Sequence, residues 1–153
     1  MNPILKALLT LTVFAALVIV ATTSKRNVRT VYAQSGCNVA TLTGNYGFTF
    51  SGFSPHPPQY RGSNRFPFSG EGLGIFDGGG NFSATFASSL NGTSSTGNPY
   101  TATYTVNSDC TGLLTATPGS GGDNFAFVIV GGGAEILGTD LSGSTLSLDF
   151  KKQ

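Results

Sequence analysis

The strongest constraint on the fold is an alternation of large apolar and small polar side chains that begins near Gly44. In the stretch NYGFTF, Tyr46, Phe48 and Phe50 would share one face of an extended chain, because successive side chains of a β-strand point to opposite sides. Similar runs recur along the sequence, and none beyond Gly44 has the period of a helix. The pattern predicts about eight strands, near residues 44–50, 67–76, 81–90, 99–106, 111–117, 124–130, 134–139 and 145–150.

Clusters of Gly, Asn, Asp, Ser and Pro separate these runs. They fall at residues 77–81, 91–99, 107–112, 118–124, 131–133 and 140–144. Connections this short join neighbouring strands as antiparallel hairpins. Closure into an up-and-down barrel protects the edges of such a meander with hairpins alone. We therefore predict an all-β, up-and-down barrel of about eight antiparallel strands, with a two-sheet β-sandwich as the alternative.

The beginning of the chain has the pattern of a signal peptide. Lys6 precedes an apolar run, residues 7–21, which is shorter than the roughly 20 residues that a membrane span requires. The sequence VYA at residues 31–33 has the small-x-small form of a cleavage site, so cleavage is expected before Gln34.

This organisation predicts a signal peptide over residues 1–33 and a single β-barrel domain over residues 34–153, in a secreted or periplasmic protein. Lys25, Arg26 and Arg29 follow the apolar run, where basic residues oppose translocation. An uncleaved N-terminal anchor is therefore the alternative.

The charge of the predicted domain disfavours nucleic acid as a partner. Beyond residue 33 the chain has four basic residues, Arg61, Arg65, Lys151 and Lys152, against seven acidic ones. These bases form no stripe that would release counterions from a phosphate backbone. A membrane contact is expected only through an uncleaved leader.

The two cysteines, Cys37 and Cys110, predict a disulfide, since an exported chain with an even cysteine count usually pairs its thiols. A thiol nucleophile needs an imidazole partner, and the single histidine, His56, lies among prolines with no sequence relation to Cys110. Zinc requires three or four Cys, His or carboxylate ligands at suitable spacing. We therefore expect no metal, no cofactor and no catalytic cysteine.

The predicted strand at residues 67–76 carries three glycines, Gly70, Gly72 and Gly74, on one face. Glycines in a strand are tolerated where a sheet bends or where other side chains lie across the backbone. Close approach of the backbone to a ligand is a second interpretation.

Glu71 and Glu135 are the carboxylates that the strand pattern offers for acid–base chemistry. Such a pair needs a separation of roughly 5 to 10 Å and two different pKa values. Glu135 directly follows three glycines, which also fits a solvent-exposed strand start. We assign no catalytic residue.

The long irregular segment at residues 51–66 predicts a loop that covers one end of the barrel. An alternative is a surface loop whose aromatic side chains only cover the barrel. If a ligand site exists, we expect it beneath this loop, with Arg61 or Arg65 orienting a polar head group. The candidate aromatic contacts are Tyr46, Phe48, Phe50, Tyr60, Phe68 and Tyr104.

Four segments, GNYGFTFSG, GLGIFDGGGNFSA, YTVNSDCTGLLT and NFAFVIVGGGAEILGTD, resemble a group of small secreted bacterial proteins of unknown function. The similarity covers nearly all of residues 37–150. It implies a single calycin-like barrel, similar in shape to lipocalins and allene oxide cyclase, and it implies no activity.

Three functional classes follow from these observations. An exported, non-catalytic barrel that binds a small apolar or amphipathic molecule is favoured by the strand number, the aromatic face and the long loop. The alternative is a structural or surface-interaction protein of the cell envelope. A cyclase or hydrolase that works inside the barrel is the third class.

Overall fold

The structure is a computed structural model, and it describes residues 36–54, 65–120 and 122–153. A single turn of 3-10 helix at Val39–Thr41 precedes the strands. The eight strands are β1 (Thr43–Ser54), β2 (Phe66–Asp77), β3 (Asn81–Leu90), β4 (Thr93–Val106), β5 (Thr111–Ala116), β6 (Phe125–Val130), β7 (Glu135–Asp140) and β8 (Thr145–Lys152). In the described part of the chain, no helix has the length and apolar character needed to cross a membrane.

The strands form a closed barrel in which each strand pairs antiparallel with the next. The first strand also pairs antiparallel with the last, so that Phe48 on β1 lies opposite Phe150 on β8. The predicted up-and-down barrel is therefore confirmed, and the two-sheet sandwich is wrong. Closure leaves neither β1 nor β8 as a free edge.

The predicted boundaries were wrong at the β3–β4 hairpin. Residues 91–99 were expected to form a turn, but only Asn91 and Gly92 do so, and β4 begins at Thr93. Both turn residues have positive φ, 50° and 86°, as a two-residue type I′ hairpin requires. The polar residues that follow are strand, and the pairing shifts by a bulge between Phe86 and Ser88.

Part of the predicted loop at residues 51–66 is also strand, since β1 continues to Ser54 and β2 begins at Phe66. The remainder, with His56, Tyr60 and Arg61, lies outside the described residues. So do the predicted leader, residues 1–33, and the expected new N-terminus at Gln34.

The three glycines of β2 make room for aromatic rings inside the barrel. A Cβ atom on Gly72 would lie 2.7 Å from Cβ of Phe86 and 2.9 Å from Cζ of Phe48. One on Gly74 would lie 2.5 Å from the Phe82 ring, and one on Gly70 would meet the Phe50 ring. Side chains lying across the backbone thus account for these glycines.

We call the end of the barrel beside Thr43, Asp77 and the 107–110 turn the closed end, because the segment Gly36–Leu42 packs into it. Leu42 is fully buried, and Cys37 is disulfide-bonded to Cys110 with a Cα–Cα distance of 5.0 Å. The predicted disulfide is therefore confirmed.

Two tyrosines inside the barrel complete the closed end. The Tyr46 hydroxyl donates to the carbonyl of Gly133 at 2.6 Å, and the Tyr104 hydroxyl donates to the carbonyl of Leu42 at 2.9 Å. Burial raises the pKa of both phenols. The Tyr104 hydroxyl thus ties the barrel wall to the segment that fills this end, and the Tyr46 hydroxyl ties it to the turn between β6 and β7.

We call the opposite end, beside Ser54, Phe66 and the 117–124 and 141–144 connections, the open end. The wall is uneven here, since β4 has fourteen residues and its neighbour β5 only six. Pairing between these strands stops at Ala102 and Ala116, so the first half of β4 extends past β5. The 117–124 connection fills this gap.

Candidate ligand site at the open end

A cavity of about 100 Å³ lies inside the barrel towards the open end. Its wall consists mainly of aromatic and aliphatic side chains from seven of the eight strands and from the 117–124 connection. The lining residues are Phe48, Phe50, Phe68, Phe82, Phe86, Tyr100, Leu114, Gly122, Asp123, Phe125, Leu146, Leu148 and Phe150.

The rings in this wall pack edge to face or tilted. The ring centroid of Phe50 lies 5.0 Å from that of Phe68 and 5.7 Å from that of Phe86, and the Phe48 centroid lies 5.1 Å from that of Phe150. Such pairs hold one another in place. The cavity therefore has an ordered apolar wall.

One side of the cavity is polar because Gly122 and Asp123 lie there, against the part of β4 that extends past β5. The Tyr100 hydroxyl donates to the backbone carbonyl of Asp123 at 2.8 Å. A Cβ on Gly122 would collide with the Tyr100 ring, so only glycine allows this approach. Burial raises the pKa of Tyr100, with a further contribution from the negative charge of Asp123.

Hydrogen bonds join the two connections at this end. Asn124 donates its backbone N–H to Oγ of Ser142 at 2.8 Å, and its carbonyl accepts from the N–H of Leu141 at 2.8 Å. The Asn124 side-chain oxygen also accepts from the N–H of Ala116 at 2.9 Å. Asp123 is therefore held at the cavity by its neighbour in the chain.

The Asp123 carboxylate has an unusual environment. Burial raises its pKa, and the negative charge of Asp140 raises it further, while a bond from Ser144 acts in the opposite direction. That bond, from Oγ of Ser144 to Oδ2, is 3.3 Å long. The buried Oδ2 atom of Asp140 has no hydrogen-bond partner within the described ranges.

The structure brings three of the predicted contact residues, Phe48, Phe50 and Phe68, to the cavity. It places Tyr46 and Tyr104 at the closed end instead, where their hydroxyls bind backbone carbonyls. The alternation along the chain put all five on an inner face but gave no information about depth inside the barrel.

Arg65 is exposed and does not line the cavity. It is one of the two arginines that were expected to orient a polar head group, and the structure describes only this one. Its guanidinium is 3.5 Å from Oγ1 of Thr145. Tyr60 and Arg61 lie outside the described residues, so their proposed contacts stay predictions.

The two carboxylates considered for acid–base chemistry are far apart on the outer surface. Glu71 lies between the inward-facing positions 70 and 72 of β2, and Glu135 lies 3.7 Å from the Lys151 ammonium on the outside of β7. Two other strands, β1 and β8, separate them. Three strand spacings amount to roughly 14 Å, beyond the reach of an acid–base pair.

Sequence reasoning missed Asp123, because it lies in PGSGGDN, which reads as a turn. Sequence reasoning could have included three further lining residues that follow the same alternation as the predicted contacts, namely Phe82, Tyr100 and Leu114. Among residues 36–54, 65–120 and 122–153, no three His, Cys, Asp or Glu side chains are grouped closely enough to hold a metal ion.

No family model, no curated protein and no solved structure matches this chain.

Proposed function

We propose that this protein is an exported, non-catalytic barrel that binds a small apolar or amphipathic molecule at its open end. The observation that carries the proposal is the asymmetry of the interior. Apolar side chains and the Gly36–Leu42 segment fill the closed end, whereas the other end keeps a cavity with an ordered aromatic wall.

The size of the cavity restricts the ligand. Sites for drug-sized molecules usually measure about 300 to 1,000 Å³, and an engineered apolar cavity of about 150 Å³ holds a single benzene. A volume of about 100 Å³ is smaller than that, so it suits a short alkyl group or part of one small ring, with the rest of the ligand and any polar group at the mouth. Binding would come mainly from burial of apolar surface, at about 25 cal/mol per Å².

The proposal is tested by titrating the purified protein with toluene and following its backbone amide resonances by NMR. We expect saturable shifts among residues at the open end. The variant Leu114→Phe, which adds bulk to the cavity wall, should lose this binding. Its neighbour Leu113 points outward, so Leu113→Phe is a matched control that should bind as the wild type does.

Leu146→Phe fills the cavity from another strand and serves if Leu114→Phe fails to fold. Absence of toluene binding by the wild-type protein, or unchanged binding by both filled variants, would contradict the proposal.

The export part of the proposal is supported by the disulfide, since such bonds persist in oxidising compartments outside the cytosol. The closed eight-stranded barrel is also compatible with a calycin-like family of secreted proteins. N-terminal sequencing of the protein from an exported fraction should begin at Gln34. Full-length protein in the membrane fraction would establish the anchor instead.

An interaction protein of the cell envelope is the second candidate, because the outer surface has an apolar patch. Val128 on β6 lies opposite Leu137 on β7, Leu113 on β5 lies diagonally next to Val128, and 40 to 48% of each residue is exposed. Substituting all three with Ser should leave toluene binding intact. Loss of the protein from the envelope fraction in that variant would favour this second function.

A further inference from the structure

The polar side chains at the cavity, those of Tyr100 and Asp123, present acceptors of hydrogen bonds. Asp123 is the charged residue among those described as lining the cavity, and it is negative. Arg65, the described cation nearest in sequence to the open rim, is outside this lining and faces Thr145. A ligand in the cavity therefore meets a carboxylate.

This carboxylate has unused acceptor capacity. An ionised carboxylate offers about four lone-pair sites, and the described contacts of the Asp123 carboxylate supply one bond, from Ser144 at 3.3 Å. The Tyr100 hydroxyl donates its hydrogen to the Asp123 backbone carbonyl, so toward a ligand it can act only as an acceptor. Asp140 adds a second negative charge close by.

We propose that the ligand carries a primary amine, protonated at neutral pH, on a small apolar ring or short chain, with the ammonium group on the Asp123 carboxylate. The inference rests on the proposed function, since it names the head group of a molecule bound in the same cavity. An ammonium has three donors and no acceptor, which matches the acceptors that Asp123 and Tyr100 present. A ligand carboxylate at this position would face Asp123 and Asp140 with like charge.

The local electrostatics agree with this assignment. Burial and the charge of Asp140 raise the pKa of Asp123, because both disfavour the negative charge of its carboxylate. A bound cation relieves both effects by pairing with that charge. The aromatic wall adds faces of negative potential that attract cations as well.

Four probes that share one phenyl ring separate the head group from the apolar part. They are toluene, benzyl alcohol, benzylamine and benzoate, each titrated into the protein at neutral pH by NMR. We expect benzylamine to bind about tenfold more tightly than toluene, because hydrogen bonds between charged partners are stronger than those between neutral ones. Benzyl alcohol should fall between them, and benzoate should bind most weakly.

The variant Asp123→Asn should reduce the affinity for benzylamine about tenfold and leave that for toluene unchanged. Asp149→Asn makes the same change on the outer face of β8, and it should affect neither probe. Equal or tighter binding of benzoate than of benzylamine would overturn the inference, as would an Asp123→Asn variant that retains full benzylamine affinity. Either result with toluene still bound leaves the proposed function standing, whereas failure of all four probes refutes the proposed function together with the inference.

Discussion

The two ends of the barrel use the same kinds of residues in opposite ways. At the closed end, the Tyr46 and Tyr104 hydroxyls bind backbone carbonyls of the segments that seal it. At the open end, Tyr100 binds the carbonyl of Asp123, whose own carboxylate stays mostly without partners beside the cavity. Whether the interior of this barrel is filled therefore depends on the segments that cover its ends, and strand pairing alone does not determine it.

The aspartates show the same contrast. At the closed end, the side-chain amide of Asn81 donates to the Asp77 carboxylate at 2.6 Å, and the backbone N–H groups of Asn81 and Gly79 donate to it at 2.9 and 2.7 Å. These bonds lower the pKa of the Asp77 carboxyl. Bonds from the side chain and backbone of Thr111 lower the pKa of Asp109. Burial raises the pKa of Asp123 at the open end. The carboxylates of Asp77 and Asp109 thus stabilise turns at the closed end, whereas that of Asp123 keeps acceptor capacity at the open end.

The largest expected effect breaks the closed end. Replacing both Cys37 and Cys110 by Ser removes the disulfide, and the chain-entropy estimate for a separation of 73 residues is a loss of about 4 kcal/mol in the free energy of unfolding. Urea unfolding at constant pH measures it. Ser88→Ala with Ser95→Ala is the control, with little change expected, because it removes two exposed side-chain hydrogen bonds from the β3–β4 hairpin. A loss below about 1 kcal/mol would show that packing alone holds the closed end.

Adding a methyl group to the inner face of β2 tests whether the strands and rings around the cavity can shift to accommodate extra volume. The Cβ atom in Gly72→Ala would lie 2.5 Å from the carbonyl oxygen of Thr85, which the sheet holds in place, so we expect a loss of about 1 to 3 kcal/mol. Thermal and urea unfolding measure this loss. Glu71→Ala, one residue away on the outer face, should cost much less. Wild-type stability in Gly72→Ala would mean that the β3 backbone at Thr85, as well as the neighbouring rings, shifts to admit the methyl group.

Removing single hydroxyls compares the ends directly. Tyr46→Phe leaves the buried carbonyl of Gly133 without its 2.6 Å partner, for which we expect a loss of about 1 to 2 kcal/mol. Tyr100→Phe removes a 2.8 Å bond that is only partly buried, so its cost should be smaller. Both variants are compared by urea unfolding in one buffer. A larger loss in Tyr100→Phe would reverse the contrast between the ends.

The smallest effects are expected in the pH dependence of stability. Because the folded pKa of Asp77 is lowered, its contribution is present above the unfolded pKa and is lost as the pH falls through the folded pKa. For Asp123 the folded pKa is raised, so its contribution is greatest below the unfolded pKa and is lost as the pH rises through the folded pKa.

Asp77→Asn should therefore be less stable than the wild type at neutral pH, and Asp123→Asn should be more stable. Both differences should shrink in acid. Urea unfolding between neutral and acidic pH measures them, and the same sign for both variants would contradict the assigned shifts.

Much of the fold follows from the sequence because its signals are local. The alternation around Phe48 and Phe50 gave the strands, the turn clusters gave antiparallel pairing, and the two cysteines gave the disulfide. The start of β4 was wrong because Ser, Thr and Gly at residues 93–97 resemble a loop in composition. Strand pairing across the hairpin outweighs that preference.

The candidate site was only partly predictable, for a different reason. Alternation tells which side chains face inward, but depth in the barrel depends on which end is filled, and the segment that fills it is distant in sequence from Tyr104. Asp123 lies at the cavity because β5 and β6 are short and leave a gap beside β4. Neither the filling of one end nor the position of Asp123 can be recognised from a short stretch of sequence.

The pairing of β1 with β8 also governs when the chain can fold. These strands come from opposite ends of the domain, so the seam forms only after the whole of it is available, and contacts between distant positions make folding slow. A chain that enters a translocation channel with its N-terminus first would present β1 long before β8. Until β8 is available, the barrel therefore stays open at this seam, and β1 keeps one unpaired edge.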